Sequence, residues 1–199
     1  MQKSRNKNYL LSVQLQEIRR TLKQHADDNG RKAIQKFIPG VFKFYGARTP
    51  LLNDLAKEFK KGGFPLAEEL WDAAYWEEKI LAAKLLGKIA KQDAEKTLEL
   101  FEKLSTTITD WAVCDALGMQ SLHPIRKTND KEIFAIAKKL NQSENLWQRR
   151  LSLVMVEWYT RDVTKHTRIK NLVKALETDE EYYVKKAIVW INKNFDKRK

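Results

Sequence analysis

The sequence predicts an all-α solenoid, a stack of antiparallel helix pairs in which each pair contacts only its neighbours. Three observations predict it. Trp76, Trp111, Trp147 and Tyr183 recur at intervals of 35, 36 and 36 residues. Each opens a stretch with helical apolar spacing: WEEKILAAKLL, WAVCDALGMQ, WQRRLSLVMV and YVKKAIVWI. A fixed period in this range marks stacked helical repeats. The composition, 43% hydrophobic with seven Gly and four Pro in 199 residues, favours long helices over a turn-rich β fold. No segment alternates apolar and polar residues as a half-buried strand does. A single domain, 1–199, is expected, with 1–62 as an N-terminal helical cap and 63–199 as four helix pairs.

The elements follow in order. Residues 8–25 carry Leu10, Leu11, Val13, Leu15, Ile18 and Leu22 at amphipathic spacing, which predicts the first helix. A shorter helix over 31–38 is expected to end at Pro39-Gly40. FKFYGARTP, 42–50, reads as a connector. Thr49 suits an N-cap and Pro50 the first position of a helix over 50–61, which stops at Gly62-Gly63. Four pairs then alternate: 65–74 with 76–90, 93–104 with 110–122, 130–141 with 146–160, and 165–177 with 180–195. The short connections are those of antiparallel neighbours.

Charge narrows the function. Lys and Arg number 38 against 26 Asp and Glu, a net charge of +12. That excess points to a polyanionic partner, nucleic acid first, with a merely solvated basic surface as the alternative. One cysteine, Cys114, allows no intrachain disulfide. The N-terminus lacks the apolar core of a signal peptide, and no run approaches the ~20 apolar residues of a membrane span. A cytoplasmic location is expected. His25, His123 and His166 lack metal-ligand spacing, so no metal is expected. No phosphate loop, GxSxG elbow or CxxC pair occurs.

The repeat aligns the chain with itself and exposes two anomalies. Four residues after each aromatic stand Ile80, Asp115, Leu151 and Ala187, three apolar residues and one carboxylate. Seven after stand Ala83, Gly118, Val154 and Trp190, three smaller side chains and one indole. Three after stand Lys79, Cys114, Arg150 and Lys186, a basic row broken once. Spacings of three, four and seven share a helix face. One cationic surface with a single acid and large aromatics is therefore expected.

A carboxylate on a partly buried face is costly unless it is paired or has a task. The plain reading of Asp115 is a salt bridge to Arg149 or Arg150 in the next repeat. Trp111, one turn earlier, flanks the carboxylate or simply packs in the core, as its equivalents Trp76 and Trp147 do. Arg150 continues a basic row and reads equally as a solvated charge. Trp190 breaks a row of small residues and would project from the face. Together, an anion between aromatic faces and bordered by cations suits a positive charge on a phosphate backbone. Hydrolysis of an N-glycosidic bond in DNA meets these demands. The sugar then develops oxocarbenium character, which Asp115, Trp111 and Trp190 would stabilise, with Asp115 also orienting water. Purines alkylated at N3 or N7 already carry positive charge and leave without an enzymic acid.

At these residues the chain resembles the AlkD-type, HEAT-like-repeat DNA alkylation-repair glycosylases. Four blocks carry the resemblance: FKFYGARTPLLNDLAKEF (42–59), TDWAVCD (109–115), LWQRRLSLV (146–154) and YYVKKAIVW (182–190). They match the family's active-site residues with Trp111, Asp115, Arg150 and Trp190. The resemblance implies a right-handed superhelix whose concave face binds duplex DNA, and a monofunctional glycosylase that uses no cofactor. Its implied substrate is DNA containing alkylated bases, and its implied state a monomer without obligate protein partner, on nucleoid DNA. It assigns Asp115, Trp111 and Trp190 to catalysis and Arg150 to a phosphate, with Arg149, Lys79 and Lys186 in support and Arg48 and Thr49 as further backbone contacts. The chain departs from the family in its shorter N-terminal region and in Cys114, a small packing residue beside the aspartate. Two other readings stay open: a non-catalytic binder of distorted or branched DNA, and a helical scaffold for an acidic protein.

Overall fold

The computed structural model describes residues 2–38, 40 and 42–196. They form α1 (Gln2–Gln24), α2 (Asp28–Gln35), α3 (Thr49–Glu58), α4 (Gly63–Trp71), α5 (Trp76–Ile89), α6 (Ala94–Ser105), α7 (Trp111–Ala116), α8 (Asp130–Asn141), α9 (Leu146–Val154), α10 (His166–Ala175) and α11 (Tyr182–Asp196). Among the described residues there is no strand; one isolated bridge pairs Lys43 with Tyr75. The chain is an all-α solenoid. α4 packs on α5 and α8 on α9, and the second helices α5, α7, α9 and α11 lie in chain order against one another. One continuous core threads the stack, from Ile18 and Leu22 through Trp71 and Phe101 to Ile169 and Ile191.

The predicted order holds, and the boundaries move for local reasons. α2 begins at Asp28, three residues early, because the Asp27 carboxylate accepts the Asn29 amide and caps it. It also ends early, at Gln35 and not at 38, with Lys36 as its cap; Pro39 itself lies outside the described residues. Thr49 is the first helical residue of α3 and not its cap; Arg48 holds the extended cap position without a side-chain bond. The helix expected over 65–74 runs instead from Gly63 to Trp71, entered through Gly63 at φ 65°, a left-handed conformation that suits glycine.

Two second helices are shorter than the periodicity suggests. The helix expected over 110–122 is α-helical only to Ala116, and Leu117–Ser121 forms a π-helical turn. The wider turn pushes the Gln120 carbonyl against α5, where Gly87 leaves no room for a side chain. Gly118 gives the same close approach to Val154 and Leu151 on α9. The helix expected over 146–160 ends at Val154, and a 3-10 turn covers Glu157–Arg161. Tyr159 pins that turn by donating its hydroxyl to the Arg126 carbonyl at 2.5 Å.

The connector 42–48 is fastened by two buried carboxylates that the sequence reading passed over. Glu77 accepts the amides of Tyr45 (3.1 Å), Gly46 (2.7 Å) and Ala47 (3.2 Å). Burial raises its pKa, and those three amides pull it back. Glu78 receives the Tyr45 hydroxyl at 2.8 Å and the Arg19 guanidinium at 3.0 Å. An extended segment with no helix of its own is thereby held against the first turn of α5, with Arg48 and Thr49 exposed at its end.

Candidate nucleic-acid interface and active site

Asp115 and Arg150 meet across the α7–α9 contact. Arg150 Nη2 lies 2.9 Å from Oδ1 and 3.1 Å from Oδ2, and Nε lies 3.1 Å from Oδ1. The remaining nitrogen, Nη1, donates to the Tyr183 carbonyl at 2.7 Å, so the guanidinium ties α7 to the start of α11 through α9. The Arg150 side chain is 7% exposed and that of Asp115 is 23% exposed. The carboxylate is thus the part of the pair that faces out. Of the two partners expected for Asp115, the structure selects Arg150. Arg149 binds Asp179 instead, at 2.6 Å, and the carbonyls of Ser143 and Glu144.

Burial raises the Asp115 pKa above the ordinary carboxylate range, while Arg150 acts in the opposite direction. Cys114 beside it is fully buried, and burial holds its thiol well above the usual value. A protonated, enclosed thiol is no nucleophile. Its Sγ contacts the Trp147 carbonyl at 3.7 Å, which is packing.

The local sequence explains how α7 is aimed. Asp110, fully buried, caps it by accepting the amides of Ala112 and Val113, and also takes the Trp76 indole N–H at 3.1 Å. A Thr-Asp pair before an apolar helix is an N-cap signature, so this residue was findable. Trp111, one turn before Asp115, is half-buried, and its indole N–H donates to the Phe37 carbonyl at 2.9 Å. The equivalent aromatics are structural: Trp76 packs beside Phe44, and Trp147 lies 5.1 Å from the Tyr183 ring. Trp190 is half-buried and packs on the core, two turns beyond Tyr183 on α11.

The basic row divides. Lys79 donates to the Trp71 carbonyl at 2.5 Å and sits over the Trp71 ring, and burial lowers its pKa. Lys79 and Arg149, expected as phosphate contacts, each spend donors on protein acceptors: Lys79 on the Trp71 carbonyl, Arg149 on Asp179 and two carbonyls. Lys186 is exposed, over the Tyr182 ring, and Arg48 and Thr49 are exposed at the start of α3. Among the described residues no group of three or more His, Cys, Asp or Glu gathers as a metal site, and no helix is long and apolar enough to cross a membrane.

Comparison with known proteins follows this geometry. No curated protein matches the sequence significantly. Among solved structures the fold is similar to a predicted DNA alkylation repair enzyme from Enterococcus faecalis, at a TM-score of 0.68 and 19% identity over 79% of this chain and 76% of that one. At that identity the likeness speaks for the fold. The family model for DNA alkylation repair enzymes matches residues 18–199, a span that includes the connector, the Asp115–Arg150 pair and Trp190. With nearly the whole solenoid inside that match, this chain belongs to the DNA alkylation repair enzyme family.

Proposed function

We propose that the chain is a monofunctional DNA glycosylase, which hydrolyses the N-glycosidic bond of cationic N3- or N7-alkylated purines in duplex DNA. The observation that carries the reading is the Asp115–Arg150 pair. A carboxylate is oriented by a buried guanidinium that is itself held by the Tyr183 carbonyl, and it presents its exposed edge one turn from an indole. Water attacks C1′ of the deoxyribose while the C1′–N bond breaks, and the bonding electrons neutralise the purine cation. The departing base needs no proton, and the water proton passes to Asp115 or to solvent. Asp115 stabilises the positive charge that grows on the sugar, because the field of a fixed anion in a partly dry site costs no reorganisation. Trp111 and Trp190 would add their ring faces to that stabilisation. Arg48, Thr49 and Lys186 would hold phosphates on either side, and Arg150 would border the site as a cation while it orients Asp115.

Incubation with dimethyl-sulfate-treated duplex tests the reading: free 7-methylguanine should appear, and should depend on Asp115. A second reading has its own observation. An acid so fully paired to Arg150 needs no substrate to justify it, which fits a non-catalytic binder of distorted DNA. Salt-sensitive binding without release of free base would favour that reading.

A further inference from the structure

Beyond Asp115 the chain runs into the π turn Leu117–Ser121. One turn further along the chain, Gly118 and Met119 lead into a cleft of about 250 Å³ between the π turn and the 3-10 turn Glu157–Arg161. Leu122, Met155 and the Trp158 indole line it, Arg126 and Arg161 bring positive charge to it, and the His123 imidazole lies beside them. Arg126 is fixed over the Trp158 ring, 3.9 Å from its centroid.

These cations crowd one another. Burial lowers the pKa of Arg126, and Arg161 lowers it further. Burial, then Arg126 and Lys88, push the His123 imidazole down. On the other side of His123 a neighbouring hollow holds Lys88 and the buried Lys84. The Lys84 ammonium binds two neutral oxygens, Asn53 Oδ1 at 2.7 Å and Gln120 Oε1 at 2.9 Å. The charged groups around His123 are therefore Lys84 and Lys88 from α5, Lys91 just after it, Arg126 and Lys127 from its own turn, and Arg161 and Glu157 from the opposite wall. Glu157 is the one acid lining the cleft; it is buried and accepts the Asn194 amide at 2.8 Å. Two arginines against that single acid leave the cleft with an excess of positive charge, which favours an entering anion.

We infer that this cleft, just past the π turn that follows Asp115, is an anion subsite for a DNA phosphodiester, and that His123 takes up a proton when the phosphate enters. An entering phosphate offsets the repulsion from Lys88 and Arg126 and favours the imidazolium. The inference rests on this face of the solenoid being a DNA surface, and not on the chemistry at Asp115.

The experiment uses the full chain and an undamaged 12-base-pair duplex. NMR titration of the His123 imidazole, free and bound, should show its pKa rising by about one unit or more on binding; an unchanged value overturns the proposal. Duplex affinity should tighten roughly fivefold between pH 8 and pH 6, and His123→Asn should remove most of that gain. Arg161→Gln should reduce the slope of log affinity against log salt by about one. An equal pH ratio in His123→Asn, or an unchanged slope in Arg161→Gln, also overturns it. If the protein releases alkylated base while His123 fails to respond, the subsite alone is lost. If His123 responds and no base is released, the glycosylase reading alone is lost.

Discussion

Asp115 and Arg150, thirty-five residues apart in the chain, form a two-pronged ion pair at 2.9 to 3.1 Å, in which the cation is buried and the anion faces out. That asymmetry distinguishes the pair from an ordinary structural bridge. Arg150 serves as the fixed support, and Asp115 is the group left accessible to a ligand.

Asp115→Asn should keep most duplex binding and lose most release of 7-methylguanine. The amide still offers Arg150 an acceptor, so the fold should survive. Asp115→Ala leaves a buried guanidinium without its charge partner and should cost about 3 kcal/mol of stability. Thermal unfolding separates the two variants. Wild-type excision by Asp115→Asn would remove Asp115 from the chemistry.

Acid should abolish excision at a higher pH than an ordinary carboxylate would require, because burial raises the Asp115 pKa. The stability sign is opposite to that of most acids. A carboxylate whose pKa is raised in the folded state contributes stability at low pH, which is lost as pH rises through the folded value. Single-turnover excision and melting temperature, each followed against pH, should therefore diverge: activity falls on acidification with no loss of stability traceable to Asp115. A melting temperature that Asp115 itself lowers in acid, seen by comparison with Asp115→Asn, contradicts this.

Removing the Glu77 carboxylate should loosen the connector. Glu77→Ala orphans three buried amides, each costing about 1–3 kcal/mol. Even the low end of that sum should drop the melting temperature by roughly 6 °C or more. Hydrogen exchange at residues 45–47 should accelerate at the same time. A change of only a degree or two rules this account out.

Gly87→Ala sets helix propensity against packing. Alanine gains about 1 kcal/mol in a helix interior. Its Cβ would, however, collide with the Gln120 carbonyl, a backbone atom that cannot swing aside. Overpacking of this kind costs about 1–3 kcal/mol, so net destabilisation is expected. A raised melting temperature would show that the π turn yields easily.

Arg48→Ala and Lys186→Ala should each flatten the salt dependence of duplex binding by about one unit in the log–log slope. Lys79→Ala should leave that slope unchanged while lowering stability, since its ammonium faces the Trp71 carbonyl. A salt slope that responds to Lys79 and ignores Lys186 would reverse this division.

Much was legible in the sequence, and the reason is the repeat. Period and apolar spacing are local properties, so the all-α order of helices, the opening of each second helix and the oddity of Asp115 and Trp190 in their rows could all be read directly. Asp110 was legible in principle as a cap; it lay one residue inside the helix boundary drawn for it. The tertiary structure alone decided which cation meets which acid. Arg149 and Arg150 are neighbours on one helix, and the 100° between them sends one to Asp179 and the other to Asp115. It also decided that Lys79 faces inward, that Glu77 and Glu78 anchor the connector, and that His123, Arg126 and Arg161 share a cleft. Those outcomes depend on how helices far apart in sequence rotate and close on one another, and the last turns of α7 and α9 leave the regular period on which the row-by-row reading relied.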